Sequence, residues 1–208
     1  MKRRGMQCGL LLILLLGSAG VQSARADWAY ASDFKAHWNR LRGMLTNIVA
    51  AMPEDKYDYR PVKEVRSFRE MSVHLIQDGI SHTAWIAGIS REDADKLGKK
   101  YENYKTRAEI LSGLNEMFDQ GEKYISTITD QNAHDMIIGM RQERMTRVQA
   151  ALVAFEDQMD HYGNFVVYLR INGVVPPSTA NAAAEREENM KKLKEAGQPA
   201  PPAEEHPH

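Results

Sequence analysis

The stretch TRVQAALVAFEDQMDHYGNFVVYLRING, residues 146–173, decides the fold. Val148, Leu152, Phe155, Met159, Tyr162, Val166 and Leu169 step by four and three, the spacing that gathers apolar side chains into one stripe of an α-helix. A second apolar line, Ala150, Ala154, Phe165 and Tyr168, runs along another side. A helix apolar on two sides has neighbours on both, so this stretch predicts a long helix deep in a bundle. Thr146 with Gln149 matches a capping box at its start, and Gly173 followed by Pro176-Pro177 gives it a stop.

The same signals recur upstream. Ser67-x-x-Glu70 and Thr106-x-x-Glu109 are two more capping boxes, each leading into a periodic apolar run such as Ile110, Leu114, Met117, Gly121, Ile125 and Ile128. Phe34, Trp38, Leu41, Leu45, Ile48 and Met52 form a further stripe that must end before Pro53. Helices are therefore expected over roughly 32–52, 67–88, 106–129 and 146–172, an all-α fold. Residues 53–66 (PEDKYDYRPVKEVR) are expected to be a structured loop held by two prolines, and 89–105 a long polar loop. Residues 130–145 carry Met136, Ile137 and Ile138 without a clear period. Residues 179–196, rich in Ala, Glu and Lys, can form a solvated helix, and QPAPPAEEHPH at 198–208 is a disordered tail.

The first residues belong to another category. Lys2, Arg3 and Arg4 precede an unbroken apolar run, Leu10 to Leu16, and a small-x-small site, Ala24-Arg25-Ala26, in the three-part pattern of a secretory signal peptide. The run is much shorter than the roughly 20 residues a spanning helix needs. The expected organisation is a signal at 1–26, a helical bundle at 27–178 and a charged, Pro-rich tail at 179–208, with an exported product, periplasmic or secreted, that has no membrane segment after cleavage. The whole chain of 208 residues has 27 basic and 28 acidic side chains. Four cations leave with the signal, so the remaining 182 residues hold 23 basic against 28 acidic groups, a net charge of −5. That balance argues against nucleic acid as a partner. The only cysteine, Cys8, leaves too, which excludes thiolate nucleophiles and cysteine-held metals.

Any metal must then be held by imidazoles and carboxylates. Asp157 and His161 interrupt the second apolar line of the last helix at a spacing of one turn, which lets them share an ion. A structural Asp–His hydrogen bond is the competing reading, and spacing does not choose between them. His74, Asp78 and His82 form another polar strip at one-turn intervals in the second helix. Asp78 reads as an orienting partner for His74 or as a solvated companion, and His82 as a surface or packing residue. His37 and His134 stand alone.

Asp160-His161-Tyr162-Gly163-Asn164, continuing through Tyr168-Leu169-Arg170 to Gly173 and Pro176-Pro177, resembles the end of the fourth helix in the DinB/YfiT-like superfamily, where a His-x-x-x-His-(Arg/Tyr)-Gly-(Gln/Asn) motif runs into Tyr-Leu-Arg-x-x-Gly. Arg66 to Glu70 followed by His74 to Asp78 is similar to that superfamily's second helix. The resemblance, over roughly 32–178, implies a four-helix bundle of up-down-down-up connectivity with one divalent metal between the second and fourth helices. Carried onto this chain, His74 matches the first ligand and His161 the last, while Asp157 stands where many members have the other histidine. Zinc or nickel is the expected ion, with iron and manganese also suited to two imidazoles and a carboxylate. The implied activity is that of a metal-dependent hydrolase or transferase on an unknown small molecule, with Tyr162 and Asp78 as conceivable helpers and no general base identified. Export disfavours the thiol-dependent transfer of some relatives. The alternative is a non-catalytic secreted bundle with a structural or absent metal. Assembly as a homodimer is left open.

Overall fold

Three of the long helices begin where a hydroxyl is placed to cap them. Ser67, Thr106 and Thr146 accept a hydrogen bond from the backbone N–H three residues on, while Glu70, Glu109 and Gln149 reach back to the cap residue's own N–H. The computed structural model describes residues 30–139 and 142–197, so the expected signal segment and the Pro-rich tail at 198–208 lie outside the described residues. The helices are α1 (Tyr30–Ala51), α2 (Phe68–Ile86), α3 (Arg91–Gly98), α4 (Arg107–Ile125), α5 (Arg147–Ile171) and α6 (Pro177–Glu195), with short 3-10 turns at Glu54–Lys56 and Lys99–Tyr101. A two-stranded antiparallel hairpin, β1 (Met136–Ile138) and β2 (Arg144–Thr146), pairs Ile137 with Met145 and leads straight into α5.

The capping carboxylate of α4 gives a pH-dependent prediction. Backbone hydrogen bonds from Thr106 and then Lys105, joined by the Thr106 hydroxyl, lower the pKa of exposed Glu109 from its ordinary 4.5 to about 2. A depressed carboxylate stabilises the fold above its unfolded pKa and loses that contribution as pH falls toward the folded value. Glu109→Ala is therefore expected to lower the melting temperature at neutral pH, with the gap to the native chain closing between about pH 4.5 and pH 2. A gap independent of pH would remove the carboxylate from the cap.

Helices α1, α2, α4 and α5 make the bundle. Ile76 faces Gly113 and Gly79 faces Met117, so α2 and α4 run parallel. Arg147 at the start of α5 bonds the carbonyl of Ile86, and Tyr168 near its end bonds that of Arg66, so α5 runs antiparallel to α2 and is fastened to it at both ends. Lys35 pairs with Glu122 and Arg42 with Asp119, while Glu54 just beyond α1 accepts from Arg107 N at the start of α4, so α1 opposes α4. These are the directions expected of the up-down-down-up order. The apolar stripes of α1 and α4 are buried as their periodicity requires, with Phe34 partly covered. Trp38 on α1 packs on Phe118 of α4 and Phe155 of α5, in space left by Gly121, where a Cβ would stand 2.5 Å from the indole.

Three expectations need correction. The stripe chosen first on α5 is not all buried: Leu152 is 44% and Met159 41% exposed. The covered seam is instead Ala151, Ala154, Gln158, His161, Phe165 and Tyr168, which keeps the three-four spacing but includes two polar residues. The helix with most neighbours is α2, which packs on α5, α4 and α3. Residues 89–105 contain α3, capped by Ser90 onto Asp93 N, and 130–145 contain the hairpin. In the loop at 53–66, the anchor is buried Tyr57, whose hydroxyl donates to Val49 O while its ring packs on Phe68. Helix α6 forms as expected and buries no residue.

Candidate metal centre

The antiparallel pairing of α2 and α5 brings their two polar strips face to face. On α2, His74, Asp78 and His82 follow one another at single-turn spacing, and α5 presents Asp157 and His161 to them. His74 Nε2 lies 3.1 Å and His161 Nε2 3.7 Å from the same oxygen, Asp78 Oδ2. The two imidazoles meet edge to face with centroids 5.1 Å apart. Among the described residues, His74, Asp78 and His161 are the group whose ligand atoms all lie within 4.8 Å of one another. His74 and Asp78 are half-buried and His161 is buried, so the cluster is rooted in the core and opens to solvent on the α2 side.

Asp157, expected in the ligand set, stands at the edge of this group. Its Oδ1 is 3.7 Å from His161 Nε2 and its Oδ2 is 3.5 Å from His82 Nδ1. Asp78, read from the sequence as a helper, is instead at the centre. Tyr162, the other conceivable helper, spends its hydroxyl on Ser178 at the start of α6, 2.7 Å away. His37 packs on the Phe155 ring and His134 lies near Tyr30. His82, read from the sequence as a surface or packing residue, is the latter: it is buried, with Trp85 packed on its ring. What that reading did not anticipate is its approach to Asp157. The one-turn spacing of His82 after Asp78 was the available signal.

The neighbourhood sets the charge states. Burial pulls the His74 pKa below the ordinary imidazole value against the opposing Asp78 carboxylate, so His74 is neutral with a free nitrogen lone pair near pH 7. Burial acts the same way on His161, but the facing Asp78 carboxylate and the charge of Asp157 outweigh it and raise its pKa. For Asp157, burial would raise the pKa, yet His82 and the charges of His161 and His74 more than offset it, so the carboxylate stays ionised. Gly79 gives the cluster its backing: a Cβ there would stand 2.0 Å from Met117 Sδ and 3.2 Å from Gln158 Nε2, so its lack of a side chain lets α4 and α5 close in beside Asp78.

The profile of the DinB superfamily matches residues 34–164. The chain belongs to the DinB superfamily. The matched span runs from α1 into α5 and contains all five residues of the polar strips. Two solved DinB-like proteins share the fold. One, from Bacillus subtilis, is 18% identical over 68% of this chain and 92% of its own, with a TM-score of 0.54. The other, from Bacillus cereus, is 12% identical over 70% of this chain and 95% of its own, with a TM-score of 0.59. No match was found among curated proteins.

The donor set suits the divalent metal that the DinB fold implies. Four ligands arranged tetrahedrally at bonds of about 2.1 Å stand about 3.4 Å from one another. The 3.1 and 3.7 Å separations here bracket that figure. His161 presents Nε2 to Asp78 and Asp157, while its Nδ1 is buried without a hydrogen-bond partner; His82 Nδ1, also unpartnered, faces Asp157. A cleft of about 640 Å³ between the α2–α3 turn and the hairpin, lined by Ser90, Arg91, Met136, Ile138 and Arg144, contains none of these groups.

Proposed function

We propose that this chain holds one divalent cation between α2 and α5 and acts, after export, as a metal-dependent hydrolase or transferase on a small molecule. The observation that carries this reading is the convergence of His74 Nε2 and His161 Nε2 on Asp78 Oδ2, in a cluster that is buried at its base and open at its mouth. Two imidazoles and a carboxylate leave coordination positions for water or substrate. A bound ion in such a site supplies Lewis-acid polarisation of a substrate oxygen and a lowered pKa for a coordinated water. The chain's own residues prepare that site. His74 offers a lone pair near neutral pH, Asp78 faces both rings, and protons compete with the ion for His161, whose pKa is raised, so affinity falls as pH drops. Zinc, nickel, iron and manganese all suit two imidazoles and a carboxylate, and ligand type alone does not choose among them.

Export rests on the basic, apolar and small-x-small segments of residues 1–26. No helix among the described residues is long and apolar enough to cross a membrane. A second reading, a non-catalytic bundle, draws on the fact that Asp78 lies close enough to pair with both histidines without any ion.

Loading the purified protein with zinc, nickel or manganese, followed by dialysis and metal analysis, tests the proposal. About one ion per chain is expected. Turnover in a panel of ester, amide, phosphoester and thiol-transfer assays, lost on chelation, would establish the enzyme. Metal content near zero after loading with all three sinks the metal reading. One tightly held ion whose removal lowers the melting temperature, with no turnover, supports the non-catalytic bundle.

A further inference from the structure

The carboxylate of Asp157 lies between two imidazoles that approach different oxygens. His161 Nε2 is 3.7 Å from Oδ1, and His82 Nδ1 is 3.5 Å from Oδ2. The His82 side chain is only 8% exposed, and its Nδ1 has no hydrogen-bond partner, although an unpaired polar atom at such depth is costly. Among the described residues the acidic group that His82 meets is Asp157, at a distance that a small closure turns into a hydrogen bond. The ring has little freedom to turn elsewhere, because Trp85 packs on it with centroids 4.7 Å apart. Gln158 Nε2, itself buried, approaches the same Oδ2 at 3.4 Å. Oδ2 is therefore engaged from two sides, and Oδ1 is turned toward His161 at the same 3.7 Å that separates His161 from Asp78.

We propose that His82 is a positioning residue for the metal centre: by donating Nδ1–H to Asp157 Oδ2 it fixes Asp157, which stands where the family resemblance already puts a ligand, with Oδ1 turned toward His161 and the ion. The inference rests on the metal reading above and adds a support to it. A carboxylate on a two-bond stem rotates freely unless an outer hydrogen bond holds it, and such outer partners orient ligands and strengthen binding. Two carboxylates with two imidazoles make a harder, more anionic set than three imidazoles, which is more hospitable to manganese than a three-imidazole site is.

The test is zinc affinity, measured on the full chain by competition with a chromophoric chelator. His82→Ala is expected to weaken zinc binding about ten- to a hundred-fold. His82→Asn, whose side-chain N–H can stand where Nδ1 stands, is expected to recover most of that affinity, a rescue that a merely space-filling histidine would not show. Asp157→Ala is expected to match His82→Ala, and the double variant to be no weaker than either single one, because both act through one ligand. Affinity unchanged in a folded His82→Ala, an Asn variant as weak as Ala, or additive losses in the double variant would overturn the proposal. If His82→Ala does not fold, His82→Asn against Asp157→Ala decides by the same criteria. A native chain that takes up no zinc overturns the metal reading and this inference together, whereas native binding with an indifferent His82 overturns only the inference.

Discussion

Replacing His161 by alanine is expected to weaken zinc binding by more than about a hundred-fold, beyond the loss typical of an outer-shell partner. His161 is the imidazole that α5 contributes, and its Nε2 faces both Asp78 and Asp157. Without it, His74 and Asp78 remain as neighbours on one helix, and the ion loses the ring that links it to α5. The two carboxylates also lose the group that lies between their charges. Competition with a chelator measures the affinity, and circular dichroism reports whether the variant is folded. His74→Ala is expected to show a comparable loss with less effect on the fold, because His74 is only half-buried whereas His161 lies in the covered seam of α5. Native-like zinc affinity in a folded His161→Ala would place the ion elsewhere.

The largest effect on stability is expected at Trp38. Its side chain is fully buried, its Nε1 donates to Phe118 O at 2.9 Å, and its ring meets those of Phe118 and Phe155. It therefore joins α1 to α4 and α5 at once. Trp38→Ala removes that contact and leaves a cavity beside Gly121, at a cost of about 3–5 kcal/mol. Against a total of roughly 5–15 kcal/mol for a typical domain, that is enough to unfold part of the population at physiological temperature. Urea denaturation measures it. A loss below about 1 kcal/mol would mean that α1 is held by other contacts. Zinc affinity of the folded fraction should be unchanged, since Trp38 touches none of the cluster residues.

Much of this architecture is legible in the sequence because its signals are local. A capping hydroxyl and a glutamate three residues later act within a single turn, so Ser67, Thr106 and Thr146 mark helix starts without knowledge of the rest of the fold. Helix α3 escaped because eight residues with only Ala94 and Gly98 buried leave no apolar period, although the Ser90–Asp93 cap was there to be read. The three-residue strands of the hairpin are shorter than any periodicity can resolve. On α5, Leu152 and Met159 satisfied the apolar pattern but face outward, while the buried seam was obscured by Gln158 and His161. The site was legible to the same extent. Asp157 and His161 could be singled out from spacing and His74 from the family resemblance, but which carboxylate stands between the histidines depends on how two helices distant in sequence are registered. The burial of His82 depends on the same register, since what covers it comes from α5 and from Trp85.

That register is set at the ends of the helix pair and not at its middle. Arg147 and Tyr168 tie α5 to carbonyls at the two ends of α2, and Phe68 packs on Phe165 and Tyr168 beyond the last histidine. The histidines and aspartates thus hang on a frame already braced on both sides of them, like a socket cut into a finished beam. For the proposed ion, this bracing means that binding and release are expected to need side-chain adjustment alone, with no parting of helices. Exchange is then expected to be a local event, faster than unfolding.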